Sequence, residues 1–193
     1  MGHSKAEKAK SHDRIVTTAA TQIRQAGLDG IGVADLMKEA GLTQGGFYRH
    51  FDSREALVIA AASRALAQGD ARMNATVDGA ERDPLATLID AYLGVDHRDD
   101  MATSCAVSAL ANDVARSGSG VRTAYSEQVE RYIELICSLV GPHGVGGVAD
   151  RQWSIAALSA MAGGIAMARA VNDERLSMEI LTSVAAQLKA WIP

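Results

Sequence analysis

Gly41-Leu42-Thr43-Gln44-Gly45-Gly46-Phe47-Tyr48-Arg49-His50-Phe51 is the stretch on which the reading of the chain turns. Phe47 and Phe51 stand one helical turn apart and so face the same interior. Gly45 and Gly46 leave another side of that turn almost without side-chain bulk. Gln44, Tyr48, Arg49 and His50 add donors and aromatic surface, which suits backbone laid against a polyanion. Thr43 is a natural N-cap, its hydroxyl placed to accept a backbone N–H two or three residues on.

Upstream, Val33, Leu36, Met37 and Ala40 mark a short helix ended by Gly41. Before it, Ile15, Ala19, Ile23 and Ala26 recur at helical spacing from about Ser11 until Gly27, behind a polar arm over residues 1–10 that carries Lys5, Lys8 and Lys10. Three short helices, the last two joined by Gly-Leu-Thr, have the spacing of a helix-turn-helix, whose second helix enters the major groove. Any helical bundle contains such turns, so spacing alone leaves DNA binding open.

Composition sets the frame. The 193 residues are 48% hydrophobic but only 4% aromatic, so the core is built from Ala, Leu, Ile, Val and Met. With three prolines and no alternating β-branched runs, the expected class is all-α with no sheet. The net charge of −4 argues at first against nucleic acid. Its distribution matters more: residues 1–55 hold eight basic against seven acidic side chains, and residues 56–193 eleven against sixteen. A DNA-touching head on an acidic body fits that asymmetry.

Several classes lose support. Cys105 and Cys137 have no zinc or disulfide spacing, and His3, His12, His50, His97 and His143 have no ligand spacing among themselves, so no metal or cofactor is expected. HExxH, GxSxG and P-loop motifs are missing, which disfavours a helical enzyme; no catalytic residue is assigned. Ala6 stands where a myristoylation signal wants Ser or Thr, and no signal-peptide run follows the basic start, so a soluble cytoplasmic protein is expected.

Beyond the head, Ser53 caps a fourth helix that runs from about Arg54 to the stretch 74–79. Asp83 and Pro84 form an N-cap and N1 pair ahead of the stripe Leu85, Leu88, Ile89, Tyr92 and Leu93. His97–Thr103 reads as a solvated polar loop, and Ser104 as the cap of a helix carrying Val107, Leu110 and Val114. Tyr125, Val129, Tyr132, Ile133, Ile136 and Val140 stripe a long helix ending at Gly141-Pro142. The glycine-rich stretch 141–147 has no strand before it and reads as a connection rather than a phosphate cradle. From about Val148 to Val171 a helix is apolar nearly all round and must be covered on both sides; Asp150, Arg151 and Arg169 argue against a membrane span. Ser177 is expected to cap the last helix, with Ile180, Leu181, Val184, Leu188 and Trp191 on one face.

Residues 11–57 resemble the DNA-binding head of the TetR family of transcriptional regulators: Asp13-Arg14-Ile15, then Gly27 through Phe51, then Ser53-Arg54-Glu55-Ala56-Leu57. The resemblance implies a three-helix DNA-binding head over 1–53 and a helical ligand-binding and dimerisation body over 54–193, about nine helices in all. It implies a repressor that binds a near-palindromic operator as a homodimer through its last two helices and leaves on binding a small-molecule inducer. It makes Thr43–His50 the recognition helix and its cap, with Phe47 and Phe51 as core.

Tyr48, His50 and Arg54 fall on positions that touch phosphate, and Gln44 becomes the candidate for base-edge readout. Arg49 stays open between phosphate and solvent. Gly45 and Gly46 are explained by close approach to DNA or by local packing. Lys10 is added as a basic contact. Where many members carry a Thr or Ser cap on the second helix this chain has Gly32 and Val33, and Ala34 can offer no more than apolar contact to a thymine methyl. In the body, Met73, Tyr92, Met101, Tyr125, Tyr132 and Met161 are candidate pocket residues, with plain core as the competing reading. Cys105, expected in the first turn of its helix, is both a pocket candidate and a candidate redox or electrophile sensor, as in some electrophile-responsive members. A small buried hydrophobe is the alternative there. A dimeric adapter that binds no DNA is a further alternative, disfavoured by the 41–51 stretch.

Overall fold

In the computed structural model, residues 5–140 and 147–192 are described, and among them there are nine α-helices, one 3-10 helix and no strand. The order is α1 (Lys5–Ala26), α2 (Val33–Glu39), a 3-10 helix (Gln44–Arg49), α3 (Arg54–Asp78), α4 (Pro84–Tyr92), α5 (Val95–Asp99), α6 (Ala106–Ala115), α7 (Ser119–Val140), α8 (Val148–Ala170) and α9 (Glu174–Ala190). The all-α expectation holds. His3, His143 and most of the 141–147 connection lie outside the described residues.

Local chemistry sets the boundaries. Ser53 Oγ accepts from the Ala56 N–H at 3.0 Å, and Asp83 Oδ1 from the Ala86 N–H at 2.9 Å, as the caps of α3 and α4. Gly41 closes α2 with φ +71°, its N–H on the Lys38 carbonyl (3.0 Å) and the Leu42 N–H on that of Met37 (2.8 Å). This left-handed helix end accepts glycine without a Cβ penalty and turns the chain into the next helix.

Other expectations are corrected. Residues 5–10 are not an arm; they begin α1. The third helix is 3-10, with the Gly46 N–H on the Thr43 carbonyl at 3.0 Å, and Thr43 makes no side-chain cap bond. Six residues that include Gly45 and Gly46 have too little helix propensity to wind a regular α-turn. The polar loop after Leu93 contains α5. Ser104 does not cap α6: its hydroxyl donates back to the Met101 carbonyl at 3.2 Å, which leaves Cys105 as N-cap. Ser177 does not cap α9 either. Asp173 does, accepting from Arg175 and Leu176, while the Ser177 hydroxyl donates to the Ala168 carbonyl of α8 at 2.7 Å.

One apolar core runs from the head into the body. Ile15, Ala19, Ile23, Leu36, Phe47 and Phe51 join Leu57, Ala61, Ala65, Leu110, Tyr132 and Met161 in a single buried cluster. The long α3 packs on α1 at one end and on α4 and α7 further along. Hydrogen bonds reinforce the junction: Arg64 of α3 reaches Thr17 and Asp13, and the Leu28 N–H donates to Asp113 of α6 at 3.2 Å. Buried Arg24 donates to the carbonyls of Ala20, Ala65 and Ala102 and to Gln68.

Candidate nucleic-acid interface and a second cavity

The recognition segment is held from behind and open in front. Phe47 and Phe51 are buried and stacked with centroids 5.6 Å apart, and Phe51 also stacks on His12 at 4.8 Å. Tyr48 on the opposite side is 78% exposed. Thr43, Gln44, Gly45 and Arg49 are exposed too, while Gly46 and His50 are half-buried. A Cβ at Gly45 would meet nothing within 4 Å, and one at Gly46 only ordinary contacts with Met37 and Thr43. Nothing inside the chain therefore demands glycine at 45, and the packing explanation loses its basis there.

Beside this segment lies a hollow of about 660 Å³, lined by Thr43, Gly46, Tyr48, Arg49 and His50 together with Lys8 of α1. It unites five of the ten sequence candidates for DNA contact. Lys10 and Ala34 are exposed on α1 and α2 but do not line it. Arg54 sits elsewhere: its guanidinium donates to the carbonyls of Leu28 (3.2 Å) and Asp29 (3.1 Å), with the Asp29 carboxylate at 3.7 Å. It braces the start of α3 against the turn after α1. Lys8 escaped sequence reading, because only the extension of α1 to Lys5 places it beside His50.

His50 is the electrostatically tuned member of the face. Its Nδ1 is buried without a hydrogen-bond partner, and the ring stands 6.3 Å from that of His12. Burial, then the positive neighbours His12, Lys8 and Arg49, hold its pKa below the usual histidine value. A phosphate brought into that cluster would oppose the last three effects.

A second cavity, of about 440 Å³, opens between α3, α4, α5 and the start of α6. Of the seven sequence candidates it holds Met73, Tyr92 and Cys105. Met101 lines a neighbouring groove near Arg98 and Arg169. Tyr125 is tied to the Val107 carbonyl at 2.9 Å and burial raises its pKa to about 12. Tyr132 and Met161 are core, fully buried. None of these three lines the cavity; Tyr125 is half-buried and packs against the core.

The lining also includes residues the sequence did not offer as pocket candidates, among them Gly69, Arg72, Leu88, Asp90, Asp96, His97 and Asp100. His97 is not in a solvated loop. Its Nδ1 contacts the Tyr92 carbonyl at 2.6 Å and its Nε2 receives the Cys105 backbone N–H at 3.0 Å. Accepting at Nε2 requires the neutral ring protonated at Nδ1. Burial lowers its pKa to about 4, against the opposing bond to Tyr92. Cys105 is buried at the N-terminus of α6, its thiol 3.9 Å from the Tyr132 hydroxyl. Cys137 is half-buried on α7 and free.

A short helix, a tight turn and an exposed glycine-rich segment backed by two phenylalanines define a helix-turn-helix regulator, set here on a helical body. Residues 15–61 match the family model described as bacterial regulatory proteins, tetR family. HTH-type transcriptional regulator YvdT of Bacillus subtilis is 28% identical over 146 residues, 74% of each chain. The fold is shared with a TetR transcriptional regulator from Chloroflexus aurantiacus (TM-score 0.81, 22% identity, 95% of this chain and 96% of that one covered). It is also shared with the reduced form of NemR from E. coli (TM-score 0.78, 20% identity, 95% and 97% covered). Residues 15–61 thus carry the head of the TetR family of transcriptional regulators, and the rest of the chain shares the fold of solved members of that family.

Proposed function

We propose that this regulator is a repressor that binds a near-palindromic operator as a homodimer and is released by a small molecule. The observation that carries DNA recognition is the bare front of the 43–50 segment, where Tyr48 is 78% exposed and a Cβ at Gly45 would meet nothing within 4 Å. Residues 1–53 act as the DNA-binding domain and 54–193 as the ligand-binding and dimerisation domain. Thr43, Tyr48, His50, Arg49 and Lys10 contact phosphate, Gln44 reads a base edge, and Gly45, Gly46 and Ala34 allow close approach. Arg54 contributes by bracing the head, in keeping with its bonds to Leu28 and Asp29.

Dimerisation through α8 and α9 is supported by what the single chain leaves uncovered. Ile155 and Met167 are 42% and 54% exposed on α8, and Trp191 is 65% exposed just past α9. Among the described residues no helix is long and apolar enough to cross a membrane, so a second copy is the fitting cover. The cavity beside Tyr92 and Cys105 is the inducer site. A gel shift with DNA upstream of the gene, repeated at rising salt, tests the reading: specific binding with a steep salt slope is expected, and none at low salt defeats it. Sedimentation as a monomer at micromolar concentration would remove the dimer.

A second reading, a thiol switch, is favoured by one observation: Cys105 lines the cavity. Electrophile-induced release of DNA that survives Cys105→Ser unchanged would dismiss it.

A further inference from the structure

Two side chains of the body hold one turn of the head. The turn is Gly27-Leu28-Asp29, between α1 and α2. Gly27 ends α1 in the left-handed region at φ +79°, its N–H on the Ile23 carbonyl at 2.8 Å. The Leu28 side chain is buried, and its backbone N–H donates to Asp113 Oδ2 of α6 at 3.2 Å. Arg54, at the start of α3, takes the carbonyl side of the same turn, donating to Leu28 and Asp29 at 3.2 and 3.1 Å. The other carboxylate oxygen, Asp113 Oδ1, is paired with Arg116 at 3.1 Å. Gly27 makes the approach possible, since a Cβ there would stand 2.5 Å from Asp113 Oδ2.

The reading unit hangs from this turn. The 3-10 helix packs on α2 and α2 on α1, with Gln22 bonded to Glu39 at 2.6 Å. α1 is itself fastened to α3, by Arg64 to Thr17 and Asp13 and by Arg24 to the Ala65 carbonyl. The direction in which α2 and the 3-10 helix face is therefore governed where the chain enters them, at the clamped turn, and where it leaves, at Arg54. Direction matters when two heads must engage two half-sites. Once one head is bound, the other binds as an intramolecular partner, at an effective concentration that falls as its geometry loosens.

We propose that Asp113 is a positioning residue for operator binding: by holding the Leu28 N–H it fixes each head in the direction from which both heads of a dimer reach their half-sites. Asp113 belongs to the body and does not line the hollow beside the recognition segment, so it acts through Leu28 and not on DNA. This role rests on the reading of the protein as a dimer on a near-palindromic operator.

The test compares the full wild-type chain with Asp113→Ala and Asp113→Asn on two duplexes: the upstream DNA, and the same DNA with one half-site scrambled. Asparagine keeps an oxygen for the Leu28 N–H and gives up only the ion pair to Arg116, whose side chain is 72% exposed, so that loss is small. Asp113→Ala is expected to weaken full-site binding about five- to tenfold, the worth of one hydrogen bond, and to leave half-site binding within about twofold. Asp113→Asn should stay within about twofold of wild type on both duplexes. Hydrogen exchange at the Leu28 amide reads the bond without DNA, and should be at least about fivefold faster in Asp113→Ala alone. Unchanged full-site affinity in Asp113→Ala, equal loss on both duplexes, failure of asparagine to restore binding, or Leu28 exchange indifferent to the alanine would each overturn the proposal. A wild type that binds neither duplex, or both equally, would instead overturn the two-headed operator reading, and this role with it.

Discussion

The recognition segment and the cavity are built on opposite plans. Residues 43–50 form one continuous run of sequence, wound as a 3-10 helix over Gln44–Arg49, with Thr43, Gln44, Tyr48 and Arg49 exposed to solvent. The cavity gathers residues from α3, α4, α5 and the N-cap of α6, and several of its polar groups are held by neighbours, His97 by the backbone of Tyr92 and Cys105, Asp90 by Lys189 and Asp100 by Thr103. The segment proposed above to meet DNA is exposed and contiguous. The cavity, proposed above as the inducer site, is assembled from positions far apart in the sequence.

The contrast breaks first at its common support. Phe47 is buried at the back of the recognition segment and stacks on Phe51, so Phe47→Ala is expected to cost roughly 3–5 kcal/mol in urea unfolding. If the head is a separable unit, a distinct early transition appears. If the shared core from Ile15 to Tyr132 couples the two, the whole curve shifts together.

The next effect belongs to the cavity side. His97 has a pKa of about 4 in the fold against 6.5 for a free histidine side chain, so the folded state resists its protonation. The stabilisation is complete above pH 6.5, is lost as pH falls from there through about 4, and adds no further slope below. Its full size is about 3 kcal/mol, at no more than about 1.4 kcal/mol per pH unit. Denaturant midpoints across that window should show the loss, and His97→Gln should flatten it. An unchanged slope in the variant would assign the acid sensitivity to other groups.

How much of this was legible follows from the same contrast. The 41–51 stretch could be read because its signals are local: a left-handed glycine, an i, i+4 pair of phenylalanines, and a run of donors. The 3-10 winding and the idle Thr43 hydroxyl escaped, since propensity identifies a helix start but not which carbonyl each N–H will choose. In the body, the α3 and α4 caps were legible from Ser53 and Asp83-Pro84. Ser104 and Ser177 misled, because each spends its hydroxyl on a carbonyl outside the helix assigned to it. The burial of His97 depends on Tyr92 and Cys105 at once, a condition no spacing rule expresses. Tyr125, Tyr132 and Met161 were open by residue type to pocket or core; Tyr132 and Met161 are fully buried, and Tyr125 is half-buried with its hydroxyl on the Val107 carbonyl.

On the DNA side, Gln44→Ala and Tyr48→Phe should separate reading from seating. The first is expected to relax preference at one base pair by about 1–3 kcal/mol, the second to weaken all sequences alike by about 1 kcal/mol. Competition gel shifts on single-base operator variants distinguish them. The reverse pattern would mean that the segment lies rotated in the groove.

The smallest change makes the sharpest comparison. Gly45 has no positive φ, and a Cβ there meets nothing within 4 Å, so nothing in the free protein resists alanine. Alanine also stiffens the unfolded chain and favours helix, so Gly45→Ala should raise stability by up to about 1 kcal/mol. Gly27 is the internal control. Its φ is +79° and a Cβ would stand 2.5 Å from Asp113 Oδ2, so Gly27→Ala should lower stability. If the emptiness in front of Gly45 is where DNA backbone comes close, the stabilised variant should bind its operator more weakly, by severalfold. Stability and affinity would then move in opposite directions at one residue. Gain of both together would show that the bare glycine is not a contact surface, and would leave Gln44 and Tyr48 to carry the interface.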